Sequence, residues 1–298
     1  MGFGGNEGNF CLLIAEAEGP VFMAGENGKK SPENSEDAKS EMWNADAYRR
    51  AVREYRHEAA RALAASINYQ YIDGGDRRYW SSVIFLRIAL VSRTLHKILP
   101  DIDLKFPNSW WDFASFANLA RSFFETLLFF RYFTEPCSND EWAAKLKIMQ
   151  LNDNVERMSF LATIRDTDES KIGELRRAEL LEKLNANPVI QSIDAKKRKK
   201  LLEGWRPTIP TQREIATKFN IPDAVWSHYQ FLSTYSHCLP MSFYRTSEHG
   251  RYGTENLLDR AYFIMHLDLI TAVLKDAIDF YEKDMDEVKH LRQSPQKS

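Results

Sequence analysis

Glycine is almost confined to one end of this chain. Seven of its 13 glycines fall in the first 28 residues, and six are spread over the 270 that follow. A backbone with so few residues free to adopt left-handed turns favours long regular elements, and the prolines at 100, 107, 136, 188, 207, 210, 222 and 240 mark where such elements must stop. No segment of useful length alternates apolar and polar residues with period two, so the elements read as helices. The expected fold is all-α, a multi-helix bundle of about eight to nine helices. A flexible leader over 1–40 precedes a single all-helical domain over 41–298.

Composition agrees. Hydrophobic residues make up 44% and charged residues 28%, which excludes wholesale disorder and a multispanning membrane protein. Forty basic residues against 42 acidic ones leave a net charge of −2, so the chain does not announce itself as a nucleic-acid or acidic-membrane binder. Cys11, Cys137 and Cys238 are odd in number and share no short spacing. They form neither a disulfide framework nor a zinc knuckle, and a cytoplasmic location is expected. The apolar run 10–15 has no basic region before it, and Asn6 stands where a myristoylation signal needs Ser or Thr. Segment 224–244 is free of formal charge but carries two His, four Ser and Pro240, so no membrane partner is expected.

Apolar spacing places the helices. Val52, Tyr55, Ala59, Leu63 and Ile67 stripe a helix over 44–71, and Val83, Leu86, Leu90 and Ile98 are expected to face inward from a helix over 77–99. A third, over 109–134, is apolar nearly all round and should be central, with Trp110 and Trp111 in the core at its start. Ser138 and Glu141, and again Thr211 and Glu214, have capping-box spacing and open two more. Charged helices over 168–185 and 188–203, one from 222 that kinks or breaks at Pro240, and a last one over 254–291 complete the set.

One polar stripe interrupts the central helix. At about 100° per residue, Asn118, Arg121 and Glu125 fall within an arc of about 60°. Arg121 and Glu125 can pair, but the arginine-first order is the weaker one for helix stability, which suggests a guanidinium held for another purpose. Facing partners are expected from the uncharged helix: Tyr229, Ser233, Ser236 and His237, with Pro240 freeing the carbonyl of Ser236. A satisfied core network would use the same residues.

Arg121-Ser-Phe-Phe-Glu125, followed by Tyr229-Gln-Phe-Leu-Ser233-Thr-Tyr-Ser236-His237, resembles bacterial all-helical domains of unknown function that are loosely similar to the HEPN superfamily. The likeness runs over about 79–281. It implies a helical fold, marks Arg121, Glu125 and His237, and carries no established activity. HEPN ribonucleases use an arginine and a histidine with four to six residues between them. The two pairs here with that spacing, Arg50 with His57 and Arg260 with His266, are what chance supplies from 22 arginines and seven histidines.

Two functions remain open. One is a helical binding or regulatory domain whose polar cluster recognises a small anion. The other is a metal-independent ribonuclease-like hydrolase, with Arg121 holding phosphate, His237 moving protons and Glu125 orienting them; RNA would then be the partner. No cofactor is implied. Glu54 with His57, and Glu287 with His290, have di-metal spacing but lie among charged neighbours or beyond the apolar part of their helix, and read as solvated faces. The glycines near the start lack the lysine of a phosphate loop. The basic run 196–200 reads as a solvated helix end that could also meet phosphates.

Overall fold

The computed structural model describes residues 42–69, 74–104, 108–164, 167–236, 240, 242 and 253–293, with the side chains of 167–168 and 289–293 excepted. The leader 1–40 and His237 lie outside the described residues, as do residues 238–239, on which the expected kink or break at Pro240 falls. Among the described residues there are ten helices and no strand. They are α1 (Ala45–Asn68), α2 (Asp76–Ile98), α3 (Phe113–Thr134), α4 (Asn139–Ile164), α5 (Thr167–Asn185), α6 (Pro188–Gln191), α7 (Ala195–Leu202), α8 (Gln212–Lys218), α9 (Asp223–Ser236) and α10 (Leu257–Gln293). None is long and apolar enough to cross a membrane. The chain groups into two compact units, Met1–Phe130 with Asn220–Ser298, and Arg131–Phe219.

In the first unit α1 packs on α2 and α10. Small residues let these helices approach: Ala51, Ala59, Ala62 and Ala65 are buried on α1, and Ala89 and Ser92 on α2. Two tyrosines tie the α1 layer down, Tyr48 donating to the carbonyl of Pro100 and Tyr55 to that of Ser92, each at 2.8 Å. Along α10, Arg260 donates to the carbonyl of Trp43, Arg61 to Glu282, and Tyr69 to Asp286. These contacts advance together, so α1 and α10 run parallel. Phenylalanines of α3 fill the interior: Phe113 and Phe116 meet Phe263, and Phe130 meets Phe85.

Two expected faces are rotated. On α1 the buried stripe is Tyr48, Ala51, Tyr55, Ala59, Ala62 and Ala65, and Ile67 is exposed. On α2, Val83, Leu86, Leu90 and Ile98 point outward, and Ile84, Phe85, Ile88, Val91 and Leu95 point in. The sequence of α2 is apolar on both sides, so periodicity alone has two solutions. Phe85 selects one of them, because its ring stacks on Tyr281 with centroids 3.9 Å apart. The two tryptophans also part company. Trp111 is buried against Tyr48 and Phe263, whereas Trp110 is exposed and lies over Gly253, whose positive φ lets its carbonyl accept from Trp111 N–H at 2.9 Å.

The second unit has its own apolar core, in which Ala144, Ile148 and Leu151 of α4 meet Leu180 and Leu184 of α5, Ile190 of α6 and Leu201 of α7. α4 and α5 form a helical hairpin. At Gly173 a Cβ would run into the Met158 side chain, so any larger residue there requires Met158 to move. The single helix expected over 188–203 is two. Asn187 caps α6, and the Asp194 carboxylate accepts from Lys196 and Lys197 N–H and starts α7 afresh. The capping box at Thr211 is complete: Thr211 Oγ1 accepts from Glu214 N–H, and Glu214 accepts from Thr211 N–H. That backbone bond first, with Lys197 second, lowers the Glu214 carboxyl to about 2.

Candidate functional site

Helix α3 begins at Phe113, not 109, because Asp112 accepts from Ser115 N–H at 3.0 Å and provides the cap. From there three residues spaced as expected reach the same part of the first unit. Arg121 Nη2 lies 2.8 Å from Glu125 Oε1, and the Tyr229 hydroxyl on α9 donates to the same oxygen at 3.1 Å. The ring of Trp226 lies beside that of Tyr229, 4.9 Å between centroids.

The cluster is half-buried rather than sealed, with Arg121 25% and Glu125 31% exposed at the side chain. Arg121 Nε has no hydrogen-bond partner among the described residues. Burial works against the arginine's charge, but hydrogen bonding to Tyr229 and the Glu125 carboxylate outweigh it and hold the guanidinium above its ordinary value. Burial, then the charge of Glu125, raises the Tyr229 phenol. An arginine so placed is permanently charged and oriented, and it retains donors beyond the one that Glu125 takes.

The other expected members stand apart. Asn118 is exposed and donates to the carbonyl of Ala114. Ser233 and Ser236 donate back along α9 to the carbonyls of Tyr229 and Leu232. Helical hydroxyls commonly do this when no better acceptor is in reach. Neither Arg-His pair of HEPN-like spacing resembles the other in the fold. Arg260 is spent on the Trp43 carbonyl and Glu255, away from His266. Arg50 and His57, by contrast, line one surface groove.

Two features were not anticipated. His266 is fully buried; its Nδ1 lies 2.7 Å from the Tyr262 carbonyl and its Nε2 3.3 Å from His228 Nδ1. A carbonyl can only accept, so His266 Nδ1 carries the proton, Nε2 accepts, and His228 Nδ1–H donates. Phe231 stacks on the His266 ring, and Phe113 and Phe116 pack near it. Burial first, and His228 second, lower His266 to about 3, despite the bond to Tyr262. The signal was available, since Phe263, Ile264 and Leu267 surround this histidine in sequence.

In the second unit Lys145 is 1% exposed. Its ammonium donates to the Tyr132 carbonyl at 3.0 Å, lies 3.4 Å from both Glu135 and Glu141, and sits over the Tyr132 ring. Lys218 reaches Glu135 at 2.7 Å. Lys145 falls on the same face as Trp142 and Ile148, three residues to either side, which marked it as a buried cation. In the basic run, Lys197 pairs with Glu214 and Arg198 donates to the carbonyl of Gln191, while Lys196, Lys199 and Lys200 are exposed.

A family of unknown function, DUF5677, matches residues 110–252. The matched span takes in Arg121, Glu125 and Tyr229 and all of the second unit. No curated protein and no solved structure matches the chain.

Proposed function

We propose that the chain is a helical binding or regulatory domain in which Arg121, oriented by Glu125 and Tyr229, presents the rest of its guanidinium to a small anion. One observation carries the reading: Glu125 is bonded through Nη2, yet a quarter of the arginine side chain remains exposed. A guanidinium has five donors in a planar fork, and a phosphate or carboxylate can take two of them. Tyr229 belongs to the site as the residue that bridges α9 to α3. Asn118, one turn before Arg121, and Ser233 and Ser236 on α9 would join only by giving up the bonds to their own helices, and His237 is a further candidate outside the described residues.

The ribonuclease-like alternative has less behind it. It needs a proton carrier beside the guanidinium. His237 is the residue cast for that role, and His228, the described histidine nearest Tyr229 in sequence, is engaged with His266. Titration calorimetry with inorganic phosphate and with sulfate tests the binding reading. Saturable binding is expected, lost at least tenfold in Arg121→Gln and kept or strengthened in Glu125→Gln, which removes the competing carboxylate. Absence of saturable binding, or binding indifferent to Arg121→Gln, would contradict it.

A further inference from the structure

A second site is built where α1 and α10 run side by side in the first unit. On α1, Arg50, Arg53, Glu54 and His57 follow at i, i+3, i+4 and i+7, which puts them on one face. On α10, Asp268, Thr271, Ala272 and Lys275 repeat the same spacing. These two polar faces line a surface groove of about 790 Å³. That volume is within the range of small-molecule sites.

The lining groups are underused. Arg53 and Lys275 have no ion-pair partner among the described residues. Asp268 feels Arg50 and Glu54 only at a distance and makes no hydrogen bond. The Thr271 hydroxyl is buried without a hydrogen-bond partner. Arg53 and Lys275 are exposed and hydrated, so only the Thr271 hydroxyl carries the cost of about 1–3 kcal/mol of a buried polar atom left unpaired. Burial also raises the Asp268 carboxyl to about 6, with Arg50 opposing and Glu54 assisting.

We infer that this groove binds a phosphorylated polyol, a sugar phosphate or the ribose phosphate of a nucleotide. Arg53 and Lys275 supply the two positive charges that a phosphate monoester dianion calls for. Asp268 and Glu54 supply acceptors for vicinal hydroxyls. The charge of Arg50, acting on Asp268 at a distance, offsets part of that carboxylate's repulsion of the phosphate. A simple amino acid would also offer both charges, but it would leave most of the groove empty and one cation unmatched.

The site is independent of Arg121, and the experiment separates the two. Ribose 5-phosphate, AMP, ribose and inorganic phosphate are titrated calorimetrically into the full chain. Ribose 5-phosphate is expected to saturate one site at least tenfold more tightly than ribose or inorganic phosphate. Arg53→Ala and Lys275→Ala should each weaken it at least tenfold without moving the melting temperature by more than about 2 °C, the shift a surface change typically makes. AMP binding more tightly than ribose 5-phosphate assigns a nucleotide, and the reverse assigns a sugar phosphate. Arg121→Gln should leave this binding intact. No saturable heat with either phosphorylated compound, equal affinity for inorganic phosphate, or affinity untouched by Arg53→Ala and Lys275→Ala would overturn the inference.

Discussion

At the scale of single residues, the histidine pair has the largest consequence for stability. His266 is neutral in the fold and is held near 3, whereas an unfolded chain would protonate it below about 6.5. The unfolded state therefore binds more protons as pH falls, and the contribution of this histidine is full above about 6.5 and lost progressively towards 3. Between pH 7 and 5 the loss from this one group is on the order of 2 kcal/mol. Chemical denaturation of the wild type and of His266→Gln across that range should show a shallower pH dependence in the variant. Equal slopes would mean that His266 is not held neutral. Glu125 is a milder case. With both groups partly exposed, water can take over part of the carboxylate's role if Glu125 is lost.

At the scale of elements, helix positions were legible and some helix faces were not. The capping residues Ser138 and Thr211 were readable because a cap is a local device: Ser138 Oγ accepts from Glu141 N–H at 3.1 Å, and Thr211 completes its box. Asp194 is just as local a cap but sits inside an apparently continuous charged run, which hides the break between α6 and α7. The face of α2 was not legible, because apolar residues on two sides satisfy the helical period equally well and the choice is made by a distant residue, Tyr281. Stability measurements separate the two faces. Phe85→Ala should cost about 3–5 kcal/mol, as for a large side chain removed from a packed interior. Leu86→Ser and Leu90→Ser should each change stability by no more than about 0.5 kcal/mol. Costs of comparable size on both sides would place the outward face in a packed interior as well.

At the scale of the whole molecule, scarcity of glycine and absence of alternating patterns were enough to give an all-helical chain, because they exclude what strands and turns require. They could not reveal the division into two compact units, since the boundary at Phe130 falls inside the continuous helix α3 and carries no proline, glycine or change of composition. The polar cluster was legible for a related reason. Arg121 and Glu125 stand out on an apolar helix, and Tyr229 follows from spacing on its own helix, whereas the groove between α1 and α10 is assembled from residues over 200 positions apart that each look like ordinary solvated charge. The central claim is that Arg121 is a binding residue rather than a structural one. Its guanidinium resonances, assigned in the NMR spectrum by comparison with Arg121→Gln, report on it directly during a titration with inorganic phosphate. The account predicts a saturable shift of those resonances at phosphate concentrations where the other arginines drift only linearly. Arg121 resonances that stay fixed, or move linearly with the rest, would contradict it.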